Sequence, residues 1–226
     1  MKIWHISDTH GVHLFLKIPK EVDMVIFSGD CSNPRTPALN ETEVRDFLEW
    51  FSRLPIKYKI FVAGNHDTSI EHRLVRPQEI RDLGIIYLEN SSCEIEGIKF
   101  FGTPITPAFG VGWAWNRKRE KMHALWESVP EDTDVLISHG PPKGILDMSF
   151  DRAGNLERCG CTSMFKFVSK ANLKLVLFGH IHNSSEILTN AGTMQLTGKQ
   201  TIFSNGTVVR DGQLGQIYSH GNIFTI

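Results

Sequence analysis

The sequence contains no apolar run long enough to span a bilayer, no block of like charge, no internal repeat and no low-complexity segment. The first absence removes the helical membrane-spanning classes. The others remove disordered, fibrous and solenoid ones. The formal net charge is -1 at pH 7, so there is no long-range field to gather polyanions, and extended nucleic acid is not an expected partner. The one compact basic cluster, Arg117, Lys118, Arg119 and Lys121, reads as a solvated helix face. Cysteine is scarce, with 4 in 226 residues. A chain of this size does not need staples, so Cys31, Cys93, Cys159 and Cys161 are read as thiols of a reducing compartment. Cys159-Gly160-Cys161 also lacks the second pair that a structural zinc site requires. The first residues lack the apolar core and small-residue cleavage site of a secretory signal, so the expected location is cytoplasmic.

The pattern that is present is an alternation of buried strands and amphipathic helices. Short runs rich in Val, Ile and Phe recur at Lys2 to Ile6, Val22 to Phe27, Tyr58 to Val62, Ile98 to Phe101, Val135 to Ile137 and Leu173 to Phe178. Near-continuous apolar runs of this length suit strands buried on both faces. Between them, Val44, Phe47, Leu48, Phe51 and Leu54 share one face of a helix predicted over Asn40 to Leu54, with Asn40 as its cap and Glu43 as reciprocal partner. Further helices are predicted at Arg117 to Val129, at Cys161 to Ala171 and around Pro77 to Leu83. From Ser184 onward, alternating runs at Thr201 to Ser204, Thr207 to Arg210 and Gln216 to Ser219 read as antiparallel strands and hairpins. The pattern implies a layered α/β fold, and nothing marks a boundary within residues 1–226, so one domain is expected.

The residues that carry chemistry stand directly after the apolar runs. Ile3 to Ser7 leads into Asp8-Thr9-His10, Val22 to Ser28 into Gly29-Asp30, and Tyr58 to Ala63 into Gly64-Asn65-His66-Asp67. Val135 to Ser138 leads into His139-Gly140, and Leu173 to Phe178 into Gly179-His180-Ile181-His182. Ligands of α/β sheets bind at the carboxyl ends of strands, so these side chains are expected to meet. Mixed carboxylate, amide and imidazole donors suit Mn, Fe, Zn or Ni better than an all-oxygen site would. Asp8, His10, Asp30, Asn65, His139, His180 and His182 exceed the needs of one tetrahedral ion, and a shared carboxylate would let them hold two. The neighbouring glycines permit close backbone approach.

These blocks, in this order, resemble the signature of the calcineurin-like metallophosphoesterases. More narrowly, Leu54-Pro55 with Tyr58-Lys59-Ile60, the stretch Gly102 to Asn116, and His139-Gly140-Pro141-Pro142-Lys143-Gly144 resemble the MPPED-type, class III phosphodiesterase-like subfamily. Its characterised members act on phosphodiesters, cyclic nucleotides included. The resemblance implies a four-layer α/β/β/α sandwich with two central mixed sheets, the C-terminal runs fitting the second. It implies that Asp8, His10 and His182 bind one divalent ion, that Asn65, His139 and His180 bind the other, and that Asp30 bridges them. Mn is the first choice of metal, with Fe, Zn, Ni or Mg as the others. It also implies that a metal-bridging hydroxide attacks, that Asn65 and His66 contact the phosphate, that His66 assists the leaving oxygen and that Asp67 orients His66.

Substrate selection is expected from loops. Phe109, Trp113, Trp115 and Asn116 lie in a Gly- and Pro-containing stretch, where the rings either stack a nucleobase or pack the loop onto the body. His5 lies within the first strand and His72, His123 and His220 fit no strand-end pattern, so they read as structural or surface groups; His13 reads the same way, with bordering the site as the alternative because it stands close to the first motif. The leading expectation is a small phosphodiester substrate. A phosphomonoesterase or phosphoprotein phosphatase is the second enzyme reading, and a non-catalytic metal- and nucleotide-binding regulator the reading from another class. The sequence leaves self-association open.

Overall fold

Strand parity decides the layers. In β1 (Lys2–Ile6), Trp4 and Ile6 face one side while Ile3 and His5 face the other, and β2 (Met24–Ser28) divides in the same way. With β3 (Tyr58–Val62) and β4 (Ile86–Tyr87) these strands form a parallel sheet. A second sheet contains β5 (Ser91–Ile95), β6 (Ile98–Thr103), β9 (Val135–Ser138), β12 (Leu175–Phe178), β13 (Gly192–Gln195) and β14 (Ile202–Asn205) in the order β13-β14-β12-β9-β6-β5. Two short pairs, β7 (Thr106–Pro107) with β8 (Asn116–Arg117) and β10 (Met148–Phe150) with β11 (Leu156–Arg158), lie outside both. The last strand, β15 (Asn222–Thr225), returns to the first sheet and pairs antiparallel with β1. This computed structural model describes residues 1–226.

The apolar positions sort into separate cores. Ile3, Met24, Ile26, Ile60 and Val62 meet Phe100, Val135, Ile137, Leu175 and Leu177 between the two sheets. The outer face of the first sheet packs against α1 (Pro37–Ser52), α2 (Thr68–Glu71) and α3 (Pro77–Asp82), and that of the second against α4 (Met122–Glu127) and α5 (Thr162–Val168). The result is the α/β/β/α sandwich with two mixed sheets that the resemblance implies. Phe47 on α1 is fully buried among Phe27, Phe51 and Phe61, a setting in which truncation to Ala costs about 3–5 kcal/mol. No helix is long and apolar enough to cross a membrane.

Several elements differ from expectation. The first helix starts at Pro37, after Thr36, because proline is pre-organised for the first helical position. Asn40 is therefore inside the helix and does not cap it. Its buried amide donates to the carbonyls of Pro34 and His66, and its oxygen accepts the Ser69 amide. The helix expected over Arg117 to Val129 is reduced to a 3-10 turn, Arg119–Lys121, followed by α4, since Arg117 is held in β8. Thr207 to Arg210 makes only isolated bridges, Ser7 with Thr207 and Asn183 with Arg210, and Gln216 to Ser219 is irregular, with bends at Gln216 and Tyr218. Of the C-terminal strands, β14 pairs antiparallel with β13 as expected but also runs parallel to β12, and β15 joins the first sheet instead of the second.

Candidate metal centre

The parallel arrangement brings the carboxyl ends of β1, β2, β3, β9 and β12 to one edge of the sandwich. Backbone hydrogen bonds stitch these ends together: the Asp8 amide donates to Gly29, Gly179 to His139, Ser7 to Gly206, and Gly206 to Phe178. Asp8, His10, Asp30 and His180 all adopt left-handed backbone, with φ of 56°, 43°, 60° and 70°. Such conformations cost energy for non-glycine residues and persist only where the surroundings enforce them. Gly179 is needed for a different reason, since a Cβ there would lie 2.0 Å from Asp8 Oδ2.

The donors that the sequence singles out are brought together. Ligand atoms of Asp8, His10 and His182 lie within 4.8 Å of one another, as do those of Asp30, His139 and His180, and those of His10, Asp30 and His66. Asp30 Oδ2 lies 3.3 Å from His139 Nε2 and 4.0 Å from His10 Nε2, so one carboxylate faces both groups. Asn65 Oδ1 is 2.8 Å from His139 Nε2.

Hydrogen bonds on the far side of the rings fix which nitrogen points inward. His10 Nδ1 bonds to the Ser32 carbonyl, His139 Nδ1 to Ser28 and His66 Nδ1 to Asn33. A carbonyl accepts only from N–H, so each Nε2 of a neutral ring presents its lone pair to the cluster. Beside His182 Nδ1, at 2.9 Å, lies Asp211 Oδ1. This arrangement passes the test for a cation. His10 Nε2 is buried without a hydrogen-bond partner, and its lone pair faces the Asp30 carboxylate. Burial drives His10 down to about 4 and His180 down to about 3, toward the neutral, ligating form. Burial also disfavours charge on His139, but Asp30 outweighs it and the group is pushed up to about 9. The cluster thus calls for positive charge between Asp30 and its imidazoles, and divalent ions would supply it.

Other predicted residues are placed differently. His66 stands at the rim, edge-on to His10 at 4.6 Å and to Trp113 at 4.7 Å. Asp67 does not touch the His66 imidazole. Fully buried, it accepts from the amides of Asp30, Cys31, Ser32 and Gly64 and from the Ser32 hydroxyl, so it holds the 30–32 loop, and the Asn33 carbonyl orients His66 instead. Trp115 packs in the core of the first sheet and offers no free face to a base. Asn116 holds the loop, its oxygen accepting from the Phe109 amide and its amide donating to the Ala114 carbonyl. Trp113 and Phe109 do face the site, the latter 4.9 Å from His180. The same loop is tied to the centre by the Ala114 amide, which donates to the Asn65 carbonyl.

Sequence reasoning missed Asn33, Asp211 and Arg35, whose guanidinium lies 4.6 Å over the Trp113 ring. None stands directly after an apolar run, and no local signal marks them. His13 is buried, lies 3.2 Å from Asp46 and packs against Phe47 and Trp50, a structural setting.

Comparison with known proteins agrees with this geometry. The family model for calcineurin-like phosphoesterase matches residues 1–184. A UPF0046 protein of Caenorhabditis elegans is 33% identical over 88% of this chain and 70% of its own length. Metallophosphoesterase domain-containing protein 1 of Homo sapiens is 29% identical over 83% of this chain, and the match spans 62% of the human protein. A solved crystal structure superposes with a TM-score of 0.64 over 90% of this chain and 89% of its own at 16% identity, a likeness of fold alone. The chain belongs to the calcineurin-like phosphoesterase family, the metal-dependent hydrolases of phosphoric esters.

Proposed function

We propose that the protein is a dinuclear metal phosphodiesterase acting on small phosphodiesters, cyclic nucleotides among them, and that residues 1–226 work as one catalytic domain. The observation that carries the substrate class is an aromatic wall beside the donors, in which Trp113 stands against His66, Phe109 against His180, and the two rings lie 5.4 Å apart. A phosphate that carries organic arms can lay them along such a wall, which a small monoester uses less. No arginine or lysine contacts the donors directly, as a monoester dianion would favour; Arg35 stacks over Trp113. The one-domain reading is supported by β15, which brings the chain's last strand back onto its first.

In this reading Asp8, His10 and His182 would hold one ion, Asn65, His139 and His180 would hold the other, and Asp30 would serve both. Two divalent ions, Mn first, would neutralise phosphoryl charge and make water a competent nucleophile near neutral pH. The protein's own side chains do the rest. Asn65 and His66 contact the phosphate, and Trp113 walls the leaving arm. As imidazolium, His66 gives its Nε2 proton to the departing ester oxygen while the Asn33 carbonyl keeps Nδ1–H in place. The P–O bond to that arm breaks, water supplies the oxygen that replaces it on phosphorus, and water's proton is free to recharge His66.

The test is kcat/KM for bis(p-nitrophenyl) phosphate against p-nitrophenyl phosphate on Mn-loaded protein. The diester is expected to be the better substrate. A monoester preference contradicts the reading.

A further inference from the structure

Beyond His180 and His182 the donors open into a cleft of about 710 Å³, within the range of ligand pockets. One wall is the 103–116 loop, through Pro107 and Phe109, and the other is the β10–β11 hairpin. The Phe109 ring is 42% exposed and so offers an aromatic wall beside the donors.

Most charged side chains on these walls are already engaged. Arg119 donates to the carbonyls of Cys159 and Gly160. Asp151 accepts the amides of Ala153 and Asn155 that close the hairpin turn. Asp211 stands against His182. Arg152 and Glu157 are exposed, and neither side chain has a hydrogen bond or ion pair to any neighbour. Glu157 is paired in register with Ser149, which also lines the cleft, and Arg152 lies in the turn between the strands. The cleft therefore presents an aromatic surface, one uncommitted cation and one uncommitted carboxylate.

We propose that this cleft, on the diesterase reading above, binds the retained arm of the substrate and that the arm is a guanine-type heterocycle. Its ring lies against Phe109, Arg152 donates to the O6 and N7 acceptors, and Glu157 accepts from N1–H and the N2 amino group. Arginine on O6 and N7 is the commonest specific contact to guanine, and a carboxylate can accept two parallel N–H donors. Adenine has no such donor pair for the carboxylate. A second phosphate in the cleft would meet Glu157 and Asp211, and a bare sugar would leave both free charges without a partner.

The test is calorimetric titration of the Mn-loaded full chain with GMP, AMP and ribose 5-phosphate. GMP is expected to bind tighter than AMP, and about tenfold or more tighter than ribose 5-phosphate, as stacking plus edge contacts require. Glu157→Ala is expected to bring GMP down to the level of AMP without changing ribose 5-phosphate. Both side chains are exposed on a hairpin, so the variants fold. Ribose 5-phosphate binding as tightly as GMP overturns the proposal, as does an intact GMP preference in Glu157→Ala together with Arg152→Ala. The readout is binding, so GMP discrimination in a protein that turns over no diester would sink the diesterase reading and leave the cleft's assignment standing.

Discussion

Asp8, His10, Asp30, Asn65 and His139 are at most 5% exposed and are held at strand ends by hydrogen bonds from neighbouring strands. Phe109, Arg152 and Glu157, on the cleft walls, are exposed on a loop and a two-stranded hairpin, and the two charged ones have no partner. The contrast separates two tasks. Donors that must confront several like groups at close range need a rigid frame fixed before any ligand arrives. Walls that distinguish one substrate from another can sit on elements that vary without disturbing that frame. Changes in the buried cluster should therefore affect every substrate, and changes in the walls only some.

The largest effect is expected from Asp30→Ala. It removes the carboxylate facing both donor groups, and kcat/KM should fall by roughly 10³-fold or more, as losing several kcal/mol of metal-derived stabilisation requires. The loss should be alike for bis(p-nitrophenyl) phosphate and a cyclic nucleotide, and a strongly substrate-dependent loss would break the contrast. Next comes His66→Ala, at the rim, with a loss of about 10²–10⁴-fold and metal content unchanged. The loss should shrink for nitrophenyl esters, whose leaving group needs little protonation, so equal losses on good and poor leaving groups would remove the proton-donor role. Asp211→Asn should weaken metal binding at the Asp8–His10–His182 group by about 10–100-fold, the usual effect of losing a carboxylate behind a ligating histidine. Competition with a chelator measures it. Trp113→Ala should cost about five-fold or more on nucleotide diesters and less on bis(p-nitrophenyl) phosphate, and equal losses would reduce Trp113 to loop packing.

The smallest effect concerns His5, buried between Ser28 and Ser204 under the cluster. Burial, partly opposed by Asp8, pushes it down to about 3. Its stabilising contribution is whole above about 6.5, where the unfolded imidazole is also neutral. It is lost as pH falls toward about 3, because the unfolded chain takes up a proton that the folded one refuses. Urea unfolding at pH 7 and pH 5 should show a larger loss for wild type than for His5→Gln, and identical losses would contradict it.

The strand-end blocks are legible because strands buried on both faces write uninterrupted apolar runs, and polar residues directly after them have one place to go. The layers come from the same parity. Asp67 shows the limit: its place after His66 suggests a partner, whereas a buried carboxylate near so many free amides is consumed by backbone. Asn40 misleads because an asparagine ahead of a periodic helix looks like a cap, although Thr36-Pro37 is the better start. Asp211 behind His182 and Arg35 over Trp113 join segments distant in sequence through irregular loops, where no periodicity reports contact. The left-handed backbone at Asp8, His10, Asp30 and His180 is equally silent, since nothing but the tertiary hydrogen bonds requires it.

Asp30 is assigned to two donor groups at once, and the most direct test is to count metal in wild-type protein reconstituted with excess Mn, by elemental analysis and by the magnetic coupling of the bound ions. Two coupled Mn ions per chain are predicted, with Asp30→Ala weakening both sites together. A wild-type content that never exceeds one ion, or two ions without coupling, would contradict it.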